Sequence, residues 1–314
     1  VINTYERPEP LNRCLEALAR QPGLSQAEVI VVDDGSGADF KAIERHWRSK
    51  LPLTYTKIRH AGRSAARNRG ARAAAGRRLI FLGDDVLVRP GWLDRHLTSG
   101  HDDPRLAVLG PYPLKPPPGG EPASATYLRL ADPMPWDQLR SAGEVGFAFF
   151  GTGNLSMDRQ MFLDLGGFDE RFTEYGWEDI DLGYRFHRAG GRLIFDPEAR
   201  AVHAHPALSR ADLWRREFAV GVTAYQFWAK WRHEDLRFMK FWADAPRPGP
   251  AWRRAVGRAV IELLERLAPG SPWLPRLYER LIYSYRHAGL AEGIRRYGPP
   301  PATSAEPQPL GSAS

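Results

Sequence analysis

The sequence predicts an α/β fold, a mainly parallel and doubly wound sheet flanked by helices, followed by a helical C-terminal extension. Three observations carry this. Short, nearly all-apolar segments alternate with helical segments through residues 1–82, joined by short connections. Strands buried on both faces of a parallel sheet read as such apolar runs, and this alternation implies right-handed crossovers. From Ala211 onward the alternation stops and the chain becomes helical, aromatic and basic.

Residues 1–4 end a strand. Residues 8–20 form a helix, with Leu11, Cys14, Leu15 and Leu18 on one face and Pro22-Gly23 closing it. Residues 28–32 are a buried strand, 40–47 a helix and 53–58 a third strand. Residues 64–75 make an Ala/Arg-rich helix stopped by Gly76, and 79–82 a fourth strand. Residues 109–144 are Pro-rich, through Pro116-Pro117-Pro118-Gly119-Gly120, and read as a long surface excursion. Residues 146–157 are extended, with Gly151-Thr152-Gly153-Asn154 permitting close backbone approach. Two short strands follow, at 193–195 and 201–203. The organisation expected is an α/β domain over 1–206, a helical extension over 207–298 and a disordered Pro/Ala/Ser-rich tail over 299–314.

The 314 residues suffice for a large domain with an appendage, and 43% of them are hydrophobic, which allows a sizeable core. No run of about 18 apolar residues is present, so no spanning helix is expected. One cysteine, Cys14, excludes an internal disulfide and suits a reducing compartment. No secretory signal pattern opens the chain, and Val1 already reads as mid-strand with no initiator Met, so preceding residues are expected. These features suggest a cytoplasmic protein. The formal charge is +7, from arginine, concentrated in residues 63–78 and again from Arg215. There is no zinc spacing, RNA-binding aromatic signature or helix-turn-helix pattern, so nucleic acid is not an expected partner.

In open α/β sheets ligands bind beyond the carboxyl ends of the strands. Here those ends are polar or acidic: Asn3-Thr4-Tyr5, Asp33-Asp34-Gly35-Ser36 and Gly83-Asp84-Asp85. Carboxylates meeting at one edge repel unless a cation or hydrogen-bond donors sit among them. A second acidic cluster, Glu178, Asp179 and Asp181, follows Gly176-Trp177 and opens an apolar-periodic run. Acids there cap a helix; a carboxylate facing a cleft also takes a proton from a substrate.

The ordered motifs resemble family 2 glycosyltransferases of the GT-A fold over roughly residues 1–206. Val1-Ile-Asn-Thr-Tyr-Glu-Arg-Pro8 resembles the opening strand and loop, and Val31-Val-Asp-Asp-Gly-Ser36 the nucleotide-binding loop. Ser64-Ala-Ala-Arg-Asn-Arg-Gly70 resembles the Ala-Arg-Asn-x-Gly helix, and Phe81-Leu-Gly-Asp-Asp85 the metal-binding acidic motif. Gly166-Gly-Phe-Asp-Glu170 with Gly176-Trp-Glu-Asp179 resembles the acceptor and base segment.

The resemblance implies inverting transfer of a sugar from a nucleotide diphosphate, UDP favoured, to an acceptor hydroxyl of a glycan or lipid-linked acceptor. Thr4, Tyr5 and Arg7 would line the nucleotide site. Asp33 or its neighbour Asp34 would accept from the base. Arg63 and Arg67, one helical turn apart, and Asn68 would approach the ribose or diphosphate. Asp85 would hold Mn²⁺ or Mg²⁺, with Asp84 toward the ribose or a bound water. His203 or His205, which share a strand face, would complete the metal site. Gly153 and Asn154 would border the donor sugar, and Trp177 would stack on a sugar or anchor its loop. Asp179 is the expected base, with Glu178 as runner-up, and Asp181 a structural partner of Arg185. Position 83 departs from the commoner Asp-x-Asp triplet by carrying Gly.

The expected setting is cell-envelope or exopolysaccharide synthesis. The alternatives are a catalytically silent nucleotide-sugar-binding protein, for which Gly83 is the only hint, and a nucleotidyltransferase, whose Gly-rich, Lys-bearing first loop residues 3–8 do not supply. In the C-terminal third, Trp214, Phe218, Tyr225 and Trp228 recur near helical spacing, as do Val256, Val260, Leu263 and Leu267. Each stripe fits either a helix packed on the body or an interfacial surface, which would place the protein at the inner face of the membrane.

Overall fold

A computed structural model describes residues 1–99, 103–115, 134, 136, 139, 141, 143–204, 209–231 and 249–299. His205, most of the 109–144 excursion and all but the first residue of the expected tail lie outside the described residues.

The strands are β1 (Ile2–Thr4), β2 (Val29–Asp33), β3 (Leu53–Lys57), β4 (Arg78–Gly83), β5 (Val86–Val88), β6 (Leu106–Leu109), β7 (Gly143–Val145), β8 (Asn154–Asp158), β9 (Arg192–Phe195) and β10 (Ala201–His203). Eight form one sheet in the order β3-β2-β1-β4-β8-β6-β9-β7, and β5 with β10 forms a two-stranded ribbon. β1 to β4 run parallel; β8 enters antiparallel between β4 and β6. The helices are α1 (Pro8–Ala19), α2 (Lys41–Arg48), α3 (Arg63–Ala73), α4 (Trp92–Thr98), α5 (Arg159–Asp164), α6 (Glu178–Arg188), α7 (Arg210–Trp231), α8 (Ala251–Leu267) and α9 (Trp273–Tyr297).

β2 shows why the sequence folds this way. All five of its residues are buried. Successive side chains leave a strand on opposite faces. Val29 and Val31 join Leu11, Leu15, Trp47 and Trp92 from α1, α2 and α4 on one side. Ile30 and Val32 join Ala66, Phe162 and Phe186 from α3, α5 and α6 on the other. The seven segments expected in residues 1–82 are all present, with ends shifted by one or two residues. Local periodicity does not signal β5, α4, β6, α5 or β7, the last of which begins inside the expected 109–144 excursion; these are short elements whose stability comes from docking more than from propensity. The extended segment expected at 146–157 contains a 3₁₀ turn, Phe147–Phe149, and becomes a strand only at Asn154.

Helices α7 and α9 cross on glycines. A Cβ on Gly221 would lie 2.0 Å from the Arg286 carbonyl, and one on Gly289 would lie 2.0 Å from the Phe218 carbonyl. Helix α7 also braces the acidic segment. Gln226 Nε2 donates to the Arg171 carbonyl (2.9 Å), Thr223 Oγ1 to that of Tyr175 (3.1 Å), and Trp231 Nε1 to Asp181 Oδ1 (2.9 Å). Asp181 is fully buried and also accepts from Arg185 Nε at 3.0 Å, the structural pairing its i+4 spacing suggests.

Candidate active site

β2, β1 and β4 lie side by side and parallel, so their C-terminal ends bring Asp33, Asp34, Thr4, Asp84 and Asp85 to one sheet edge. Thr4 Oγ1 donates to Asp84 Oδ2 at 2.8 Å. Arg7 bridges the acid pair, with Nη1 2.9 Å from Asp84 Oδ1 and Nη2 2.5 Å from Asp85 Oδ2. Burial pushes the Asp84 carboxyl up to about 6, against the pull of Arg7, while Asp85 adds to the rise. The β5–β10 ribbon pairs His203 with Val86 and sets His203 Nε2 3.1 Å from Asp85 Oδ2. Among the described residues no three His, Cys, Asp or Glu side chains converge on a metal position. Asp85 and His203 offer one carboxylate and one imidazole, so a divalent cation held here would need phosphate and water oxygens for the rest of its shell.

Asp33 and Asp34 are differently engaged. Asp33 is fully buried, accepting from Ser36 N (2.9 Å) and Oγ (2.6 Å) and from the Tyr55 hydroxyl (2.7 Å). Asp34 accepts from Ala61 N (2.8 Å) and Gly62 N (2.9 Å), fixing the loop that opens α3. Tyr5 is exposed and pairs with His60, ring centroids 4.4 Å apart.

Arg63 and Arg67 share a face of α3, and both turn to Glu178. Arg67 Nη1 lies 2.9 Å and Arg63 Nη1 3.8 Å from Glu178 Oε1. Glu178 is buried and its Oε2 accepts no hydrogen bond from the described residues. Its carboxyl is held low by Arg63 and Arg67, which outweigh the opposing effect of burial. The adjacent Asp179 is half-buried, its Oδ1 accepting from Ile180 N at 2.9 Å. Burial first, and then the Glu178 charge, push the Asp179 carboxyl up to about 7, with Arg67 opposing.

Other candidates sit in the supporting structure. Asn68 is buried, donating to the Phe168 carbonyl and to Glu170 and accepting from Phe168 N, so it pins the Gly166–Glu170 turn to α3. Asn154 is fully buried and engaged by Trp92, His96 and the Ala199 carbonyl. Gly153 packs under Tyr112, whose ring a Cβ would approach to 2.5 Å. The Trp177 ring lies 5.4 Å from that of Phe227, the anchoring alternative of its two readings.

Three further residues at the site carry little or no signal in the sequence. Tyr175 lies between two guanidinium groups, Arg63 at 4.3 Å and Arg216 at 4.2 Å from its ring. It borders a cleft of about 650 Å³ lined also by Trp214, Phe218, Arg258 and Tyr285. Glu6 and Trp177 are the two non-glycine residues with positive φ among the described residues, at 53° and 65°. Such strain persists where surroundings over-determine it and clusters at functional sites. Glu6 accepts from the Gly37 and Ala38 amides, clasping the Asp33–Ser36 turn. His60 meets both Tyr5 and Asp34. Only Tyr175 had a signal, its place beside the Gly-Trp pair.

A family model described as glycosyl transferase family 2 matches residues 1–162. The chain belongs to glycosyltransferase family 2. A second model, described as the N-terminal domain of galactosyltransferase, matches residues 146–207. The chain is 33% identical over 231 residues to a validoxylamine A glucosyltransferase of Streptomyces hygroscopicus, covering 65% of this chain and 54% of that protein. It is 31% identical over 240 residues to the succinoglycan biosynthesis protein ExoM of Rhizobium meliloti, covering 74% and 75%. The chain therefore spans about half the length of the validoxylamine A glucosyltransferases it matches. A mannosyltransferase of Pyrobaculum calidifontis, solved with GDP-Man and Mn²⁺, superposes with a TM-score of 0.64 at 18% identity, covering 93% of this chain and 85% of that one. TarS 1-349 of S. aureus, solved with UDP, gives 0.53 at 18% identity, covering 94% and 90%. These likenesses establish the GT-A fold. Within this family 2 chain Gly83 is tightly placed: a Cβ there would come 2.9 Å from Val86 Cγ2 and 3.1 Å from Asp85 Oδ1.

Proposed function

We propose that this chain is a metal-assisted inverting glycosyltransferase, moving a sugar from a nucleoside diphosphate to an acceptor hydroxyl in envelope or exopolysaccharide glycan synthesis. The contrast between Glu178 and Asp179 carries this function. Two adjacent acids have environments that drive their proton affinities apart, one held ionised by two arginines and one raised toward neutrality. Such divergence marks acid–base assignments.

Asp179 takes the acceptor proton as the hydroxyl oxygen bonds to the anomeric carbon. The bond from that carbon to the diphosphate breaks on the opposite side, its electron pair leaving with the diphosphate, and the configuration inverts. Glu178 Oε2 receives a second acceptor hydroxyl. Asp85 and His203 would hold Mn²⁺ or Mg²⁺, which supplies charge neutralisation to the leaving diphosphate. Arg7, beside the acid pair, would meet the same phosphates. The exposed Tyr5–His60 pair offers an aromatic wall to the base. The cleft beside Tyr175 supports acceptor entry from the α7 side. The bound nucleotides of the structural neighbours support a UDP- or GDP-sugar donor, and the ExoM similarity supports a glycan acceptor.

The test is a screen of nucleotide sugars for Mn²⁺-dependent donor hydrolysis and transfer, with Asp85→Ala and Asp179→Asn in parallel. Donor binding should survive Asp179→Asn while turnover collapses. Full turnover in that variant removes Asp179 as base, and retained anomeric configuration removes the inverting mechanism. Binding without turnover in the unsubstituted chain would identify a silent nucleotide-sugar-binding protein.

A further inference from the structure

Helix α8 is apolar on two opposite sides. One side packs antiparallel on α9: Ile261 is buried with Tyr278 and Leu281, and the Tyr278 hydroxyl donates to Glu265. On the other side Trp252, Val256, Val260, Leu263 and Leu267 are exposed, Leu267 at 75% and Trp252 at 61%. Their spacing of four, four, three and four residues places them on one helical face. Single exposed apolar residues are unremarkable, but a contiguous stripe along a whole helix marks an interaction surface.

The composition around the stripe indicates what meets it. At its start Arg253 lies over the Trp252 ring, 5.6 Å from the centroid. Beyond its end, at the start of α9, Arg276 lies over the exposed Trp273 ring at 5.3 Å. Arg253, Arg266 and Arg276 are exposed. The α8 acids point elsewhere: Glu265 meets Arg210 and Tyr278, and Glu262 lies 3.9 Å from Arg210. Tryptophans at both ends with cations beside them suit a boundary between apolar chains and anionic headgroups. No described helix is long and apolar enough to cross a membrane. A 17-residue helix with such a face has the character of one that lies along such a boundary and does not cross it.

We propose that the exposed face of α8, with Trp273, docks on the surface of an anionic membrane. The chain's charge of +7 complements that surface. The inference does not depend on the transfer chemistry, because none of these residues belongs to the candidate site. The test is co-sedimentation of the full chain with phosphatidylcholine vesicles and with phosphatidylcholine–phosphatidylglycerol vesicles. Binding to the anionic vesicles is expected, weakening as salt rises. It should fall at least about tenfold in Val256→Glu/Leu263→Glu and in Arg253→Glu/Arg266→Glu. Unfolding midpoints and nucleotide affinity should stay unchanged in both. Absence of binding, equal binding to neutral vesicles, or undiminished binding by both variants overturns the proposal. A concentration-dependent dimer dispersed by Val256→Glu/Leu263→Glu would give the face to a second copy and overturn it as well.

Discussion

Arg67 Nη1 donates to Glu178 Oε1 at 2.9 Å across 111 residues of sequence, joining the second turn of α3 to the first turn of α6. This contact separates the two acids at the start of α6. With its charge matched, Glu178 stays ionised in a buried position, and its negative charge in turn raises the neighbouring Asp179. A base poised near neutrality follows first from its burial and then from the charge of its paired neighbour, with Arg67 itself opposing.

Replacing Asp179 by Asn should lower kcat by about 10²–10⁴-fold, the usual contribution of a positioned base. Nucleotide affinity, measured by titration calorimetry, should be unchanged. An undiminished kcat would move the proton transfer to another group.

The pH dependence has a definite sign. Asp179 must be deprotonated to act, so kcat/KM should rise with pH through about 7. Its folded-state affinity for a proton exceeds the unfolded one. Its stabilising contribution is therefore full below about pH 4 and lost as pH rises through about 7. Urea unfolding of Asp179→Asn should show a stability gain over the parent at about pH 8 that is missing at about pH 4.

Arg67→Met would leave Glu178 buried beside the more distant Arg63. Breaking a buried pair costs about 3–5 kcal/mol, and Arg63 should keep the loss near the lower end. Adding Glu178→Gln should recover most of that stability, because the unmatched charge is then gone. Denaturant midpoints of the two single variants and the double variant check this.

Asp85→Ala should weaken Mn²⁺ binding in the presence of UDP by more than about tenfold, and His203→Ala by less. Electron paramagnetic resonance of free Mn²⁺ reads this without turnover. Equal Mn²⁺ affinity in all three proteins would remove the strand-end acid as a ligand.

Gly289→Val should destabilise the chain by about 1–3 kcal/mol, because the α7 backbone occupies the space a side chain needs. Gly270, with nothing within 4 Å of an added Cβ, should take the same substitution with little change in melting temperature.

Much of the fold was legible in the sequence. The apolar run of β2 and the Leu11–Leu18 face of α1 announce burial through local periodicity alone. The placement of Thr4, Asp34 and Asp85 together follows from parallel strands, whose C-terminal ends share one edge. Other assignments were beyond local pattern. Asn68 and Asn154 lie in motif positions, yet their amides are committed to backbone groups up to 100 residues away. The stripes on α7 and α8 look alike in sequence, but Trp214 and Tyr225 are buried and Phe218 and Trp228 half-buried, while Val256, Leu263 and Leu267 face outward.

The sequence by itself determined the alternating α/β framework, its family and the strand ends at which polar chemistry gathers, because periodicity and short connections are local properties. The tertiary structure alone decided that His203 meets Asp85, that Arg67 claims Glu178 and that Asp179 is raised. Each depends on burial and on charges brought close by packing, and Coulomb and desolvation energies follow distance in space, not separation along the chain.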